Sequence, residues 1–291
     1  MKLFRTAQGH ILQNEDHFYL IEQAWDELIN HDGLHGYLQE VAGQARVLPS
    51  DQAAAWCKGE KEVLSPALSQ EVWAAGVTYL RSRDARMEES KDSGGAYFYD
   101  KVYEAERPEL FFKSLPHRVA AHGQTVYIRR DSTWNVPEPE LTLFINRKGS
   151  IQAYTIGNDM SSRSIEGENP LYLPQAKVYE RSASLGPCLY IPSEPIAPTT
   201  SIFMTISRDG SKVYTGTVQI NQIKRSLIEL ADWLYREFDF PWGCFLMTGT
   251  CLVPPDDFTL QEKDRVDIRI DGIGSLTNYI GYKPTIFAPN H

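Results

Sequence analysis

Two glutamates one residue apart, Glu138 and Glu140, sit in the stretch Val136-Pro137-Glu138-Pro139-Glu140-Leu141. Proline fixes φ in the extended range and removes N–H donors, which places the stretch at a sheet edge or a strand entrance. Side chains two apart along a strand point to one face, so the two carboxylates stand side by side, with Cα atoms about 7 Å apart. A third acid follows. The apolar runs 141–145 and 151–156 flank the turn-rich joint Asn146-Arg147-Lys148-Gly149-Ser150. A hairpin closing at Lys148-Gly149 sets Glu140 opposite Gly157 and Glu138 opposite Asp159. Opposed residues face the same side of a sheet, so three carboxylates converge at the open end of one hairpin. A bulge would shift that register. Three clustered anions raise one another's pKa unless a cation sits among them. Oxygen ligands without His or Cys suit a hard divalent ion: Mg²⁺, with Mn²⁺ or Ca²⁺ as alternatives. The other reading is a set of solvated acids on a strand rim.

The elements that must position these acids are mostly strands. The run Val72-Trp73-Ala74-Ala75-Gly76-Val77-Thr78-Tyr79 reads as one. After it the chain turns dense in charge and is interrupted by Ser93-Gly94-Gly95, which predicts a lid over about 83–104 with helical ends at 83–89 and 99–104. Short β-branched or aromatic runs follow at 110–112, 125–128, 141–145, 151–156, 201–206 and 266–270. One helix is predicted over 222–237, where Ile223, Leu227, Leu230 and Leu234 recur at core-facing spacing. Residues 1–65 read as a small N-terminal α/β domain, with a helix near 21–28 and no catalytic motif. Residues 66–291 form the expected catalytic domain, and the fold class is α+β, mostly β.

Composition excludes several functions. The chain has 291 residues, and its 42% hydrophobic and 23% charged fractions rule out a disordered or fibrous protein. Its 29 basic and 38 acidic residues give a net charge of −9 with no basic run, which argues against nucleic acid as a partner. No run of about 18 apolar residues spans a membrane, and the polar start argues for a cytoplasmic location. Cys57, Cys188, Cys244 and Cys251 form no C-x-x-C pair and are expected to be buried, reduced thiols.

Several motifs in order carry a family resemblance: Pro137-Glu138-Pro139-Glu140, then Gly157-Asn158-Asp159-Met160-Ser161-Ser162-Arg163, then Lys177, then Leu185-Gly186-Pro187, then Thr248-Gly249-Thr250. Over about residues 66–280 the chain resembles the fumarylacetoacetate hydrolase superfamily. The resemblance implies a mixed β-sandwich roll behind a small N-terminal domain, and a divalent metal, usually Mg²⁺, on Glu138, Glu140 and Asp159. Two further stretches, 102–113 and 168–179, resemble the 2-keto-3-deoxypentonate dehydratases acting on the D-arabinonate and D-xylonate compounds. That implies a small sugar-acid substrate, 2-oxoglutarate semialdehyde as product, and a homodimer or homotetramer.

Within this resemblance Lys177 is expected to hold the substrate carboxylate or an enolate, and to share proton transfer with Glu109. Glu109 lies between Pro108 and an apolar run, where burial would suit it to proton transfer; the alternative is a strand-end salt bridge. Tyr79, Lys113 and Thr250 are candidate substrate contacts. The C–C hydrolases of the superfamily carry a water-activating His soon after the Gly-x-x-Tyr strand. Here Gly76-Val77-Thr78-Tyr79 is followed by Leu80-Arg81-Ser82-Arg83, and His117 and His122 read as structural or surface groups. Three readings stand: a sugar-acid dehydratase, an acylpyruvate or diketo-acid hydrolase, and a non-enzymatic metal-binding protein.

Overall fold

The computed structural model describes residues 1–79 and 96–285. They are built around an eleven-stranded mixed sheet. In spatial order it runs Arg46–Leu48, His17–Ile21, Gly9–Asn14, Lys2–Thr6, Ala183–Tyr190, Ile151–Asp159, Pro139–Ile145, Cys244–Met247, Glu71–Gly76 and Glu109–Ser114, with Val119–Ala120 beside Ala183–Tyr190. A second, five-stranded sheet runs Ser211–Gln219, Ser201–Arg208, Arg265–Ile270, Gly274–Tyr282 and Thr125–Ile128. The chain is thus α+β and mostly β, as the sequence predicts. No helix among the described residues is long and apolar enough to cross a membrane.

Side-chain alternation explains why the sheets stack. Ile202, Met204 and Ile206 point inward while their neighbours stay partly exposed, so one face of the second sheet is buried. That face shares a buried cluster with Leu141, Leu143, Ile145 and Ile156 of the large sheet. Phe144, of opposite parity, joins Trp25, Leu28, Ile29, Leu34 and Leu38 on the other face. The strand Pro139–Ile145 is therefore buried on both sides. Truncating one of its leucines to alanine costs about 2–5 kcal/mol. The two strands at the start of the chain continue this sheet: Lys2 pairs with Tyr190 and Leu3 with Leu189.

The hairpin that carries Glu140 and Asp159 keeps the expected pairing by an unexpected route. Glu140 lies opposite Gly157, and the ladder holds one register from Pro139↔Asn158 to Phe144↔Ala153. The turn, however, does not close at Lys148-Gly149. Asn146 N–H donates to the Ser150 carbonyl at 3.0 Å, which leaves a three-residue loop with Gly149 at φ 82°. A bulge at Gln152 compensates, since Ile145 pairs with Ile151 and Phe144 with Ala153. The bulged Gln152 side chain accepts the Leu34 N–H at 3.0 Å and so ties the hairpin to the helix Leu34–Ala42.

Other expectations shift by local capping. The helix predicted over 222–237 spans Leu227–Tyr235. Ser226 caps it by accepting the Glu229 N–H at 3.1 Å, while Ile223 is drawn instead into a bridge with Tyr79. The predicted lid lies largely outside the described residues; its described part is the helix Ala96–Glu104. All four cysteines are buried free thiols.

Candidate active site

Glu138, Glu140 and Asp159 are buried, and each places a carboxylate oxygen within 4.8 Å of the others. The hairpin register explains the convergence, since Asp159 N–H donates to the Glu138 carbonyl at 2.9 Å. Their surroundings differ. Glu138 accepts from Arg163 Nη2 at 2.9 Å on one oxygen and from Lys177 Nζ at 2.6 Å on the other. Asp159 accepts from Lys177 Nζ at 3.1 Å and pairs through Oδ1 with Lys113. Glu140 is held by a neutral donor, the Gly249 N–H at 2.6 Å, and no ammonium or guanidinium lies against it among the described residues.

These contacts set the charge balance. Burial favours the neutral acid at Asp159, but the Lys113 and Lys177 ammoniums outweigh it and hold that carboxyl below its ordinary value. At Glu140 burial, followed by the Asp159 and Glu138 charges, pushes the carboxyl well above the usual carboxylate range. Glu140 is therefore the carboxylate whose charge calls for a further cation. An oxygen-only donor set of three buried carboxylates fits a hard divalent ion.

Local structure delivers the cations. Asn169 caps a 3₁₀ turn by accepting the Leu171 N–H at 2.9 Å, and the short helix Leu173–Lys177 follows directly. Lys177 ends that helix fully buried, with Nζ between Glu138 and Asp159. Arg163 opens the helix Arg163–Glu168 just past Asp159.

The other expected site residues fall in distinct places. Thr250 lines the carboxylate cavity, next to the Gly249 that binds Glu140. Its hydroxyl oxygen accepts the Leu252 N–H at 3.1 Å. Glu109 is half-buried on the edge strand, and its carboxylate lies against Gly76 of the cavity wall. Tyr79 is buried, and its phenol is pushed well up by burial, then by Cys251 and Glu140. Lys113 sits behind the carboxylates. Its ammonium donates to the carbonyls of Met160, at 2.9 Å, and of Lys177, and forms an ion pair with Asp159, so its charge faces three buried oxygens. His117 is exposed, and His122 accepts the Thr277 N–H at 3.1 Å, away from the cavity.

Sequence reasoning assigned no role to Arg163 or to the Gly249 N–H. Arg163 could have been found as a lone guanidinium four residues past an acid in a buried, Ser-rich stretch. A backbone donor carries no side-chain signal.

Residues 72–281 match the family model described as fumarylacetoacetate (FAA) hydrolase C-terminal. A probable 2-keto-3-deoxyxylonate dehydratase from Haloferax volcanii is 47% identical over 222 residues, covering 76% of this chain and 75% of that protein. The 2-dehydro-3-deoxy-D-arabinonate dehydratase of Saccharolobus solfataricus is 39% identical over 216 residues, covering 74% and 72%. Among solved structures, a 2-keto-3-deoxy-D-arabinonate dehydratase complexed with magnesium and 2,5-dioxopentanoate superposes with a TM-score of 0.82. It is 30% identical, over 98% of this chain and all of that one.

Proposed function

Because this chain belongs to the fumarylacetoacetate hydrolase C-terminal family, we propose that it is a magnesium-dependent hydro-lyase, converting a 2-keto-3-deoxypentonate to 2-oxoglutarate semialdehyde, which is 2,5-dioxopentanoate. The observation that carries the reading is the buried triad Glu138, Glu140 and Asp159 with Lys177 between two of its members. The dehydratases among the relatives, one of them with magnesium and this product bound, set the substrate class.

Glu138, Glu140 and Asp159 would hold the metal, which when bound would supply a hard Lewis acid to polarise the 2-keto carbonyl and make carbon 3 acidic. The chain's own residues do the rest. Lys177, fixed by two carboxylates, sets positive charge beside the cavity where the substrate carboxylate and the 2-keto oxygen gather negative charge. Arg163 balances Glu138 from the other side. Glu109, at the cavity wall, moves the proton at carbon 3, and the carbon 4 hydroxyl leaves as water. A proton shift from carbon 5 to carbon 3 gives the carbon 4–carbon 5 enol, and transfer of the enol hydroxyl proton to carbon 4 yields the aldehyde, with no external oxidant or reductant. Thr250 completes the wall beside Gly249, and the buried Tyr79 phenol lies within electrostatic reach of Glu140.

The hydrolase reading needs a water-activating histidine, and none lines this cavity among the described residues. Incubation of the protein and Mg²⁺ with 2-keto-3-deoxypentonates and with acylpyruvates decides between them. Aldehyde from the sugar acids and intact acylpyruvates are expected; cleavage of acylpyruvates alone would overturn the dehydratase reading. A cytoplasmic location and a homodimeric or homotetrameric assembly belong to the same proposal, and light scattering tests the assembly.

A further inference from the structure

Gly76 ends the strand Glu71–Gly76 and is the cross-strand partner of Glu109. It also lines the carboxylate cavity. Its backbone does not demand glycine, because it lies outside the positive-φ region, unlike Gly249 across the cavity at φ 91°. What matters is the missing side chain. A methyl at Gly76 would overlap the Glu109 carboxylate, meeting Oε2 first, with Cδ at 2.5 Å and Cγ at 3.2 Å. The three nearest atoms it would meet all belong to that one side chain. Glu109 thus lies flat across its own cross-strand partner.

The wall beneath Glu109 is pinned. Val77 follows at φ 52°, a conformation that β-branched residues rarely adopt. Thr78 Oγ1 anchors the bend by donating to the Thr248 carbonyl at 2.8 Å, one residue from the Gly249 that holds Glu140. Of the two cross-strand partners, the one with side-chain torsions that can turn is Glu109.

We infer that Gly76 is a positioning residue for proton transfer: its bare Cα is the notch through which Glu109 lays its carboxylate against the metal centre. The inference rests on the proton-transfer role of Glu109 in the proposed dehydration. An alanine at 76 would be accommodated by swinging Glu109 aside, which leaves the fold and the three hairpin carboxylates as they are.

The test compares the magnesium-loaded parent with Gly76→Ala, Glu109→Gln and the double variant, using a 2-keto-3-deoxypentonate as substrate. Gly76→Ala should lower kcat about 100-fold, with KM, magnesium affinity and thermal midpoint close to those of the parent. The double variant should fall less than about threefold below Glu109→Gln, because the two changes act on one step. Glu109→Asp supplies a second route, since its carboxyl carbon stands where Cγ stands now, beyond the worst overlap. Gly76→Ala should therefore cost less in the Asp background than in the parent. Parent-like turnover of Gly76→Ala beside an inactive Glu109→Gln overturns the inference alone. So do losses that multiply in the double variant, or a parallel loss of magnesium affinity. Parent-like turnover of Glu109→Gln overturns the proton-transfer reading and this inference together.

Discussion

The hairpin acids line one cavity and Glu109 lies against its wall at Gly76, yet the fold places them differently. Glu140 lies on the strand Pro139–Ile145, which is hydrogen-bonded on both sides, by Ile151–Asp159 and by Cys244–Met247. Glu138 immediately precedes it, and Asp159 ends the partner strand. Each of the three is buried and gripped by a named donor: Lys177, Arg163, Lys113 or the Gly249 N–H. Glu109 opens the outermost strand of the same sheet, is half-buried, and lies over a glycine. Fixed charges in a buried, fully bonded frame suit an ion that needs a set geometry. A half-buried carboxylate on the edge strand suits a group that must gain and lose a proton. In the proposed mechanism the contrast separates holding the metal from moving the proton.

The largest expected effect breaks the fixed side. Glu138→Ala takes from the buried Lys177 and Arg163 the carboxylate whose two oxygens they bind. Removing one member of a buried ion pair costs about 3–5 kcal/mol, and magnesium binding should be lost with it. Urea unfolding and magnesium titration check this; a variant as stable as the parent would mean that the frame is not held by these pairs.

Glu109 should behave otherwise. Glu109→Gln keeps the shape and removes the acid. Turnover should fall at least about 100-fold, while magnesium affinity stays within about tenfold, or roughly 1.4 kcal/mol. Exchange of the carbon 3 proton with deuterated solvent sharpens the point. If Glu109 is the base at carbon 3, exchange and dehydration disappear together. Retained exchange without product would move its role to the departing hydroxyl.

A smaller effect separates the hairpin acids from one another. Glu140 has its carboxyl pushed up by burial and by two neighbouring anions, whereas Asp159 is held low by Lys113 and Lys177. In the metal-free protein Glu140 therefore keeps its proton above the ordinary carboxylate pKa, and a divalent ion must displace it. Magnesium affinity should rise with pH by up to about tenfold per unit, one proton released per ion, and level off once pH passes the raised value. Calorimetry in buffers of different ionisation enthalpy counts that proton. No release anywhere in that window would place Glu140 ionised before the metal arrives.

Much of the site was legible because spacing in strands is rigid. Period-two alternation and one hairpin suffice to bring Glu138, Glu140 and Asp159 together, and the pairing of Glu140 with Gly157 is as expected. It was reached through a wrong turn, however: the longer loop and the Gln152 bulge cancel, and the bulge depends on a tertiary contact with Leu34 that no local pattern reveals. The strand Ala183–Tyr190, central to the sheet, escaped notice because its Ser, Gly, Pro and Cys carry weak strand preference and only burial on both faces makes it one. Lys113 was expected as a candidate substrate contact, and the structure buries its ammonium against Asp159. Its place behind Asp159 depends on carbonyls at Met160 and Lys177, far along the chain. Glu109 and Gly76 become partners only through the pairing of two strands separated by the charge-dense segment.

The most direct test of the central claim is turnover before and after complete metal removal. Protein stripped with a strong chelator is offered a 2-keto-3-deoxypentonate, and 2,5-dioxopentanoate is followed as Mg²⁺ is restored. No aldehyde without metal, and recovery in step with magnesium bound at Glu138, Glu140 and Asp159, is the expected result. Full turnover by the exhaustively stripped protein would contradict it.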